Sequence, residues 1–519
     1  MSTLTNRTPS NKKWWALAAI TLAVLAVGID QTVLSLALPT LARELHASNS
    51  DLQWFVAAFS LALCAMLLPA GLLGDRFGRK KMLLVALVIF GVGSLACAYS
   101  TTPAMLISAR VLLGLGAAFL APLTMAVLSV VFEEKERTMA VGIWGAANFL
   151  AFPIGPILGG WILTKFWWGA VFLINVPVVI LAIVAVSLLV PESRSEKRPG
   201  LDPLGVLFSS AGLVGLTFGV IQAGQHGWGD ARTLVPILVG ALLMVVFALW
   251  EGFLGRRQPG KALVDLDLFR STRFTWGTIL AAFSIFAMSG LLFTLPQFYQ
   301  AILGTDTMGA GIRLLPMIGG LVIGAVASNR LAARAGAKGT AALGFALLAV
   351  GLLAGTATTA GGGFGFTAAW IAVAGAGMGL AIAAAASGAL GALPSDRSGM
   401  GSAVMQAVQK IGLPFGTAIL GTIFSNVYRA HLDVSGLGDQ AASAVQRSVF
   451  AGLATASALK SAPLLDMVRT AFMRGMTGML WVCGGTAAAC VALTVIFLPG
   501  RATHTVGDAV VAPHGQSVE

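Results

Sequence analysis

The sequence predicts an all-α polytopic membrane protein, and three observations carry that expectation. The chain of 519 residues is 57% hydrophobic and only 10% charged, with a mean hydropathy of +0.86, which leaves too little charge to solvate a globular surface. About fourteen apolar segments, each near the roughly 20 residues that span hydrocarbon, lie between Trp14 and Leu498. Short basic turns alternate with less charged ones along the chain. Two of the segments, near residues 201–222 and 232–254, read as a pair inserted between two groups of six.

Taken in order, residues 1–13 form a polar tail and 14–190 a first six-helix bundle. The inserted pair occupies 201–254, a second six-helix bundle 273–498, and a polar tail 499–519. Both tails have the composition of disordered segments. The first apolar segment is too long for a secretory signal, has no small-residue cleavage pattern close behind it, and reads as an uncleaved span. Cys64, Cys97, Cys483 and Cys490 all fall in apolar segments, where they act as small hydrophobes without metal or disulfide spacing. A long segment at 428–474 interrupts the second bundle on the face away from the termini. Its apolar spacing allows an amphipathic helix, serving as a packed cap or as a regulatory lid.

The net charge of +12 invites a nucleic-acid reading, but its distribution argues against one. Roughly 22 Lys and Arg fall on the side of the N-terminus and about 8 on the other, which is the positive-inside pattern. Turns such as "GDRFGRKK", "EEKER", "PESRSEKRPG", "NRLAARAGAK" and "PSDRSG" are therefore expected in the cytoplasm, with both termini beside them and the chain in the cytoplasmic membrane. "GDRFGRKK" and "NRLAARAGAK" share an Arg, Gly and basic spacing, a faint sign of two related halves.

Asp30 stands alone in "WWALAAITLAVLAVGIDQTVLSLALP", with no other charge between Lys13 and Arg43. An ionised acid in hydrocarbon costs a few kcal/mol or more unless it is protonated, paired or turned to a cavity. Arg110, in "LISARVLLGLGAA", lies about 10 Å from its helix start at Pro103, and Asp30 about 13 Å from Pro39. The two are depth-matched. Two readings of Arg110 stand, a partner for Asp30 or a cation snorkelling to the interface. Asp30 is likewise either a titrating proton carrier or one half of a structural pair, with Thr32 and Ser35 available to its hydrogen-bond shell. Glu251, near an inner helix end, is expected to snorkel.

Three further stretches have recognisable chemistry. In "GLLGDRFGRKKML" Gly71 and Gly74 permit close helix approach, Asp75 ends a helix, and Arg76, Arg79 and Lys80 hold the turn around Gly78 on the basic side. In "AANFLAFPIGPILGGWIL" the residues Ala147, Ala151, Gly155 and Gly159 fall four apart on one face, while Pro156 permits a kink. In "GMGSAVMQAVQKIGLPFGTAILGTIF" Gln406, Gln409 and Lys410 sit within a span that contains no acid. Lys410 is about eleven residues deep, placed either for substrate or against backbone carbonyls.

With these motifs in hand, the chain resembles the major facilitator superfamily, specifically its fourteen-helix drug:proton antiporter branch, over nearly its whole length. "IDQTVLSLALP" is similar to the branch's helix 1 signature, and Gly155, Pro156, Gly159 and Gly160 to the helix 5 motif of exporters, with Ala151 where the family prefers Gly. Leu113 replaces the usual polar residue after Arg110. The resemblance implies two six-helix bundles plus two additional helices, and proton-driven export of lipophilic, often cationic, drugs or antibiotics. Asp30 and Arg110 would couple to protons. Gly74, Asp75, Arg76, Gly78 and Arg79 would gate, with Asp75 meeting the start of the thirteenth helix near Ser398. Several relatives have further intramembrane acids in the second half and this chain has none, which leaves neutral or anionic substrates open.

Candidate pocket residues are Trp54, Phe59, Trp144, Asn148, Phe149, Phe286, Phe293, Gln297, Gln406 and Gln409, since aromatic and amide groups suit flat lipophilic molecules. Each aromatic could equally face lipid or plain packing. The expected partners are the lipid bilayer, small lipophilic drugs and protons, with no nucleic acid, cofactor or metal, and the chain is expected to be a monomer. No phosphate-binding loop or catalytic cluster points to an enzyme. A dedicated self-resistance exporter of one antibiotic and a proton-coupled nutrient symporter are the alternatives.

Overall fold

The computed structural model describes residues 10–132, 134–194, 202–257, 262–393 and 398–498. Every regular element among them is helical. The first bundle comprises α1 (Ser10–Glu44), α2 (Asn49–Phe77), α3 (Arg79–Ala98), α4 (Pro103–Val131), α5 (Glu134–Lys165), and the short α6 (Ala170–Leu173) running into α7 (Asn175–Leu189). The inserted pair is α8 (Pro203–His226) and α9 (Ala231–Arg257). A 3-10 turn at Leu266–Arg270 opens the second bundle, followed by α10 (Thr272–Gln297) with a π turn at Phe298–Ile302, α11 (Thr307–Arg313), α12 (Leu315–Gly355), α13 (Phe364–Leu390) and α14 (Ser398–Ala430). Two short helices, α15 (Asp439–Arg447) and α16 (Val449–Ala458), precede the last span, α17 (Ala462–Phe497).

Thirteen stretches among the described residues are long and apolar enough to cross a membrane. The 32-residue α5 is not among them, yet it rises about 48 Å and packs along α1, completing the expected fourteen. Caps start several spans: Ser48 and Asp51 form a reciprocal capping box on α2, Thr102 caps α4 ahead of Pro103, and Asp306 caps α11.

Within the first bundle α1 packs on α5 and α7, and α4 on α2 and α3. In the second, α13 lies between the two limbs of α12 on small residues. A Cβ at Gly320 or Gly324 would press on the backbone of Ala372 or Ala376, and one at Gly344 or Gly351 on that of Ala381 or Ala374. The inserted α8 packs on α9 and touches both bundles, through α2 and through α14.

Several expectations need correction. The "NRLAARAGAK" turn is not a loop: helix runs from Leu315 to Gly355 and breaks only at Gly336 (φ 72°, ψ 168°). Its Ala and Arg residues are strong helix formers, so one glycine suffices for the reversal. The stretch at 428–474 is mostly helix, since α14 continues to Ala430 and α17 begins at Ala462. Between them α16 buries Val449 and Phe450 against α1 and α17, which matches the packed cap. Glu251 does not snorkel. It is 1% exposed, and its Oε2 accepts the Val264 N–H at 3.1 Å, while neighbouring Asp202 caps α8 and accepts Trp250 Nε1 at 2.9 Å. Residues 1–9 and 499–519 lie outside the described residues, while residues 10–13 of the expected N-terminal tail belong to α1.

Candidate functional site: a central cavity beside a buried ion pair

Small residues on α5 let it press against α1. A Cβ at Gly155 would collide with Thr32 Oγ1, one at Gly159 would meet Val33, and Gly28 faces the Ala151 side chain. Gly160 points the other way, onto Met308 and Thr307, and Gly311 of α11 abuts the Pro156 carbonyl. The helix 5 motif therefore joins α1 on one face and the second bundle on the other.

Further contacts close the bundles together on that same side. A Cβ at Gly421 of α14 would touch the Gln53 side chain of α2, and Gln300 Nε2 donates to the Leu36 carbonyl at 3.2 Å. All of these lie on the face opposite the basic turns. Between them and the basic face the bundles part around a cavity of about 400 Å³, lined from α1, α2, α4, α5, α10 and α14. That volume suits a drug-sized molecule.

Of the expected pocket residues, Trp144, Phe293, Gln406 and Gln409 line the cavity. Four others do not. Trp54 turns to α8, 6.1 Å from the Phe218 ring. Phe59 is fully buried under the Arg110 guanidinium, 4.4 Å from it. Phe286 packs its backbone on Gly416 of α14, and Gln297 donates to the Phe293 carbonyl at 2.7 Å. The side chains of Ala147, Asn148 and Phe149 lie outside the described set. Gln31, Thr32, Ser35, Ser289 and Lys410 also line the wall. Helical spacing could have found the α14 group, since 406, 409, 410 and 413 share one face.

Asp30 does not open onto the cavity. Its Oδ2 meets Arg110 Nη1 at 2.5 Å, with both side chains about 1% exposed. Arg110 Nε also donates to the Phe55 carbonyl at 3.0 Å. The snorkelling reading of Arg110 is thus replaced by a sealed, cross-helix pair. Thr32 and Ser35 are not in its shell, because their hydroxyls donate to the carbonyls of Ile29 and Thr32 at 3.1 and 2.6 Å. Asp30 Oδ1 has no hydrogen-bond partner among the described residues.

On the basic face Asp75 pairs with Arg79 on the next helix at 2.8 Å. No hydrogen bond joins it to α14 among the described residues. Gly74 is pressed on Leu123 of α4, Arg76 is exposed, and Gly78 links α2 to α3 at φ 110°. A contact without a sequence signal completes this corner. The Glu192 carboxylate accepts the Lys80 and Lys81 N–H groups at 3.2 Å each, an acid on the positive end of α3. The Ser193 carbonyl accepts the Arg79 N–H at 2.8 Å.

Two helical bundles around a midplane cavity define a secondary transporter. Residues 20–417 match the Major Facilitator Superfamily model, and the chain belongs to that superfamily. It is 30% identical to the tetracenomycin C resistance and export protein of Streptomyces glaucescens, over 94% of this chain and 91% of that one. It is 34% identical to the multidrug efflux pump LfrA of Mycolicibacterium smegmatis, over 91% and 93%. A crystal structure of a bacterial homologue of the human lysosomal transporter Spinster, inward-facing and unoccupied, superposes with a TM-score of 0.67 at 17% identity, covering 94% of this chain and 98% of that one.

Proposed function

We propose that this chain is a proton-driven antiporter, not an enzyme, that exports lipophilic drugs or antibiotics across the cytoplasmic membrane. Both termini lie in the cytoplasm, so the cavity lies toward the cytoplasm and its exit is closed. The observation that carries the reading is the Asp30–Arg110 pair, sealed 1% exposed beside a drug-sized cavity. Its relatives in efflux and antibiotic export support the direction of transport.

Protonation of Asp30 would release Arg110 and loosen the α1–α4 contact, favouring one state of the rocking cycle. Loss of the proton would restore the pair. Gly74, Asp75, Arg76, Gly78 and Arg79 form the hinge corner on the cytoplasmic side, with Asp75 exchanging Arg79 for the start of α14 when that side closes. The chain functions as a monomer in the bilayer.

The test is substrate-evoked proton movement in proteoliposomes. Wild type should move protons when drug is added, and Asp30→Asn should bind drug without doing so. An Asp30→Asn protein with the wild-type rate and pH dependence would overturn the coupling role.

A further inference from the structure

The cavity has a charge that the coupling pair does not use. Among the described residues that line it, Lys410 is the one ionisable side chain. Among the described residues Lys410 has no ion-pair partner: the pairs there are Lys13–Glu136, Asp75–Arg79, Asp30–Arg110 and Asp267–Arg270. Asp30, the acid of α1 on the cavity's other wall, is sealed behind that wall with its Oδ2 on Arg110. Lys410 is partly exposed, toward the cavity, so its ammonium faces that space with no carboxylate among the described lining residues. An anionic group in the cavity would supply the missing counter-charge to Lys410.

The surroundings fit the same partner. Gln406 and Gln409 flank Lys410 on the cavity face of α14, and Gln31 faces them from α1. Among the described residues Gln409 and Gln31 have no hydrogen-bond partner, so their amide N–H groups are available to a ligand oxygen. The rest of the wall is chiefly apolar, with Trp144 and Phe293 among its side chains. A cationic ligand would bring like charge next to Lys410 with no carboxylate to offset it.

Building on the export reading, we propose that the substrate is a lipophilic acid, a carboxylate, phenolate or enolate on an apolar ring system, whose anionic group binds Lys410. The amides of Gln409 and Gln31 donate to its remaining oxygens, and Trp144 and Phe293 cover the rings. Export of such an anion moves negative charge outward, so an inside-negative membrane potential assists the step. Cation export would run against it.

Everted vesicles containing the full chain provide the test, with two three-ring xanthene probes of opposite charge, fluorescein (anionic) and rhodamine 123 (cationic). Wild type should accumulate fluorescein when a proton gradient is imposed. Lys410→Gln should raise the fluorescein KM by about tenfold or more, the loss of one charge-assisted contact, while Lys410→Arg keeps most of the affinity. Lys410→Met, of similar length and uncharged, repeats the measurement if Lys410→Gln folds poorly. An unchanged fluorescein KM in the uncharged variants overturns the inference. Gradient-driven accumulation of rhodamine 123 with fluorescein excluded overturns it too, but leaves the export reading standing. No gradient-driven accumulation of either probe overturns both.

Discussion

Arg110 is held by three different interactions: the Asp30 carboxylate, the Phe55 carbonyl and the Phe59 ring. Removing one partner of such a pair strands the other charge in a low-dielectric place. Arg110→Gln should therefore cost about 3–5 kcal/mol, seen as a lower thermal unfolding midpoint in detergent, and Asp30→Asn added to it should recover part of the loss. Additive losses would show that the pair is not the source. This pair was legible in the sequence because both residues are charged, isolated in apolar segments and at matched depth. The aromatic lining was read less well: Phe59 serves Arg110 and Trp54 serves α8, because side-chain direction on a wholly apolar helix has no period to reveal it. Lys410 was legible as a deep cation, whereas the absence of a counter-charge around it depends on which helices surround α14.

Glycine decides how several elements meet. Gly155 lies where α5 touches Thr32 of α1, so Gly155→Val should push the helices apart. Overpacking of this kind costs about 1–3 kcal/mol and should abolish transport, whereas a transporting Gly155→Val protein would show that the close approach is dispensable. Gly336 turns α12 with φ 72° and ψ 168°, a region essentially restricted to glycine. Gly336→Ala should destabilise by about 1–3 kcal/mol, measurable as a shift in thermal unfolding. The small-residue face of α5 was readable from its four-residue spacing. The reversal in α12 was readable as a basic turn at "NRLAARAGAK", but not that a single glycine would make it between otherwise helical residues. Glu192 on the N-terminus of α3 joins residues 112 apart, and nothing local in either segment announces it.

For the molecule as a whole, the bundles meet on the face away from the basic turns and part on the other. Gln53 of α2 and Gly421 of α14 meet at that seal, close enough for a disulfide between paired cysteines. Gln53→Cys with Gly421→Cys should oxidise to a cross-link that stops transport, and a reductant should restore it. Transport through the oxidised protein would exclude rocking at this seam. Two groups of six with an inserted pair were evident from the spacing of apolar segments, but not where the pair docks, because α9 is apolar nearly all round.

That docking is uneven. Thr422 Oγ1 of α14 donates to the Val220 carbonyl at 2.9 Å, and Arg429 Nη1 to the Gly224 carbonyl at 2.6 Å. Toward α2 the same helix offers apolar contact, Leu213 and Ile221 against Ala57 and Leu61. Hydrogen bonds are directional and hold one geometry, whereas apolar contact tolerates sliding. When the bundles rock, α8 and α9 should travel as passengers of the second bundle while gliding over α2. They then shield the seam between α2 and α14 from lipid throughout the cycle.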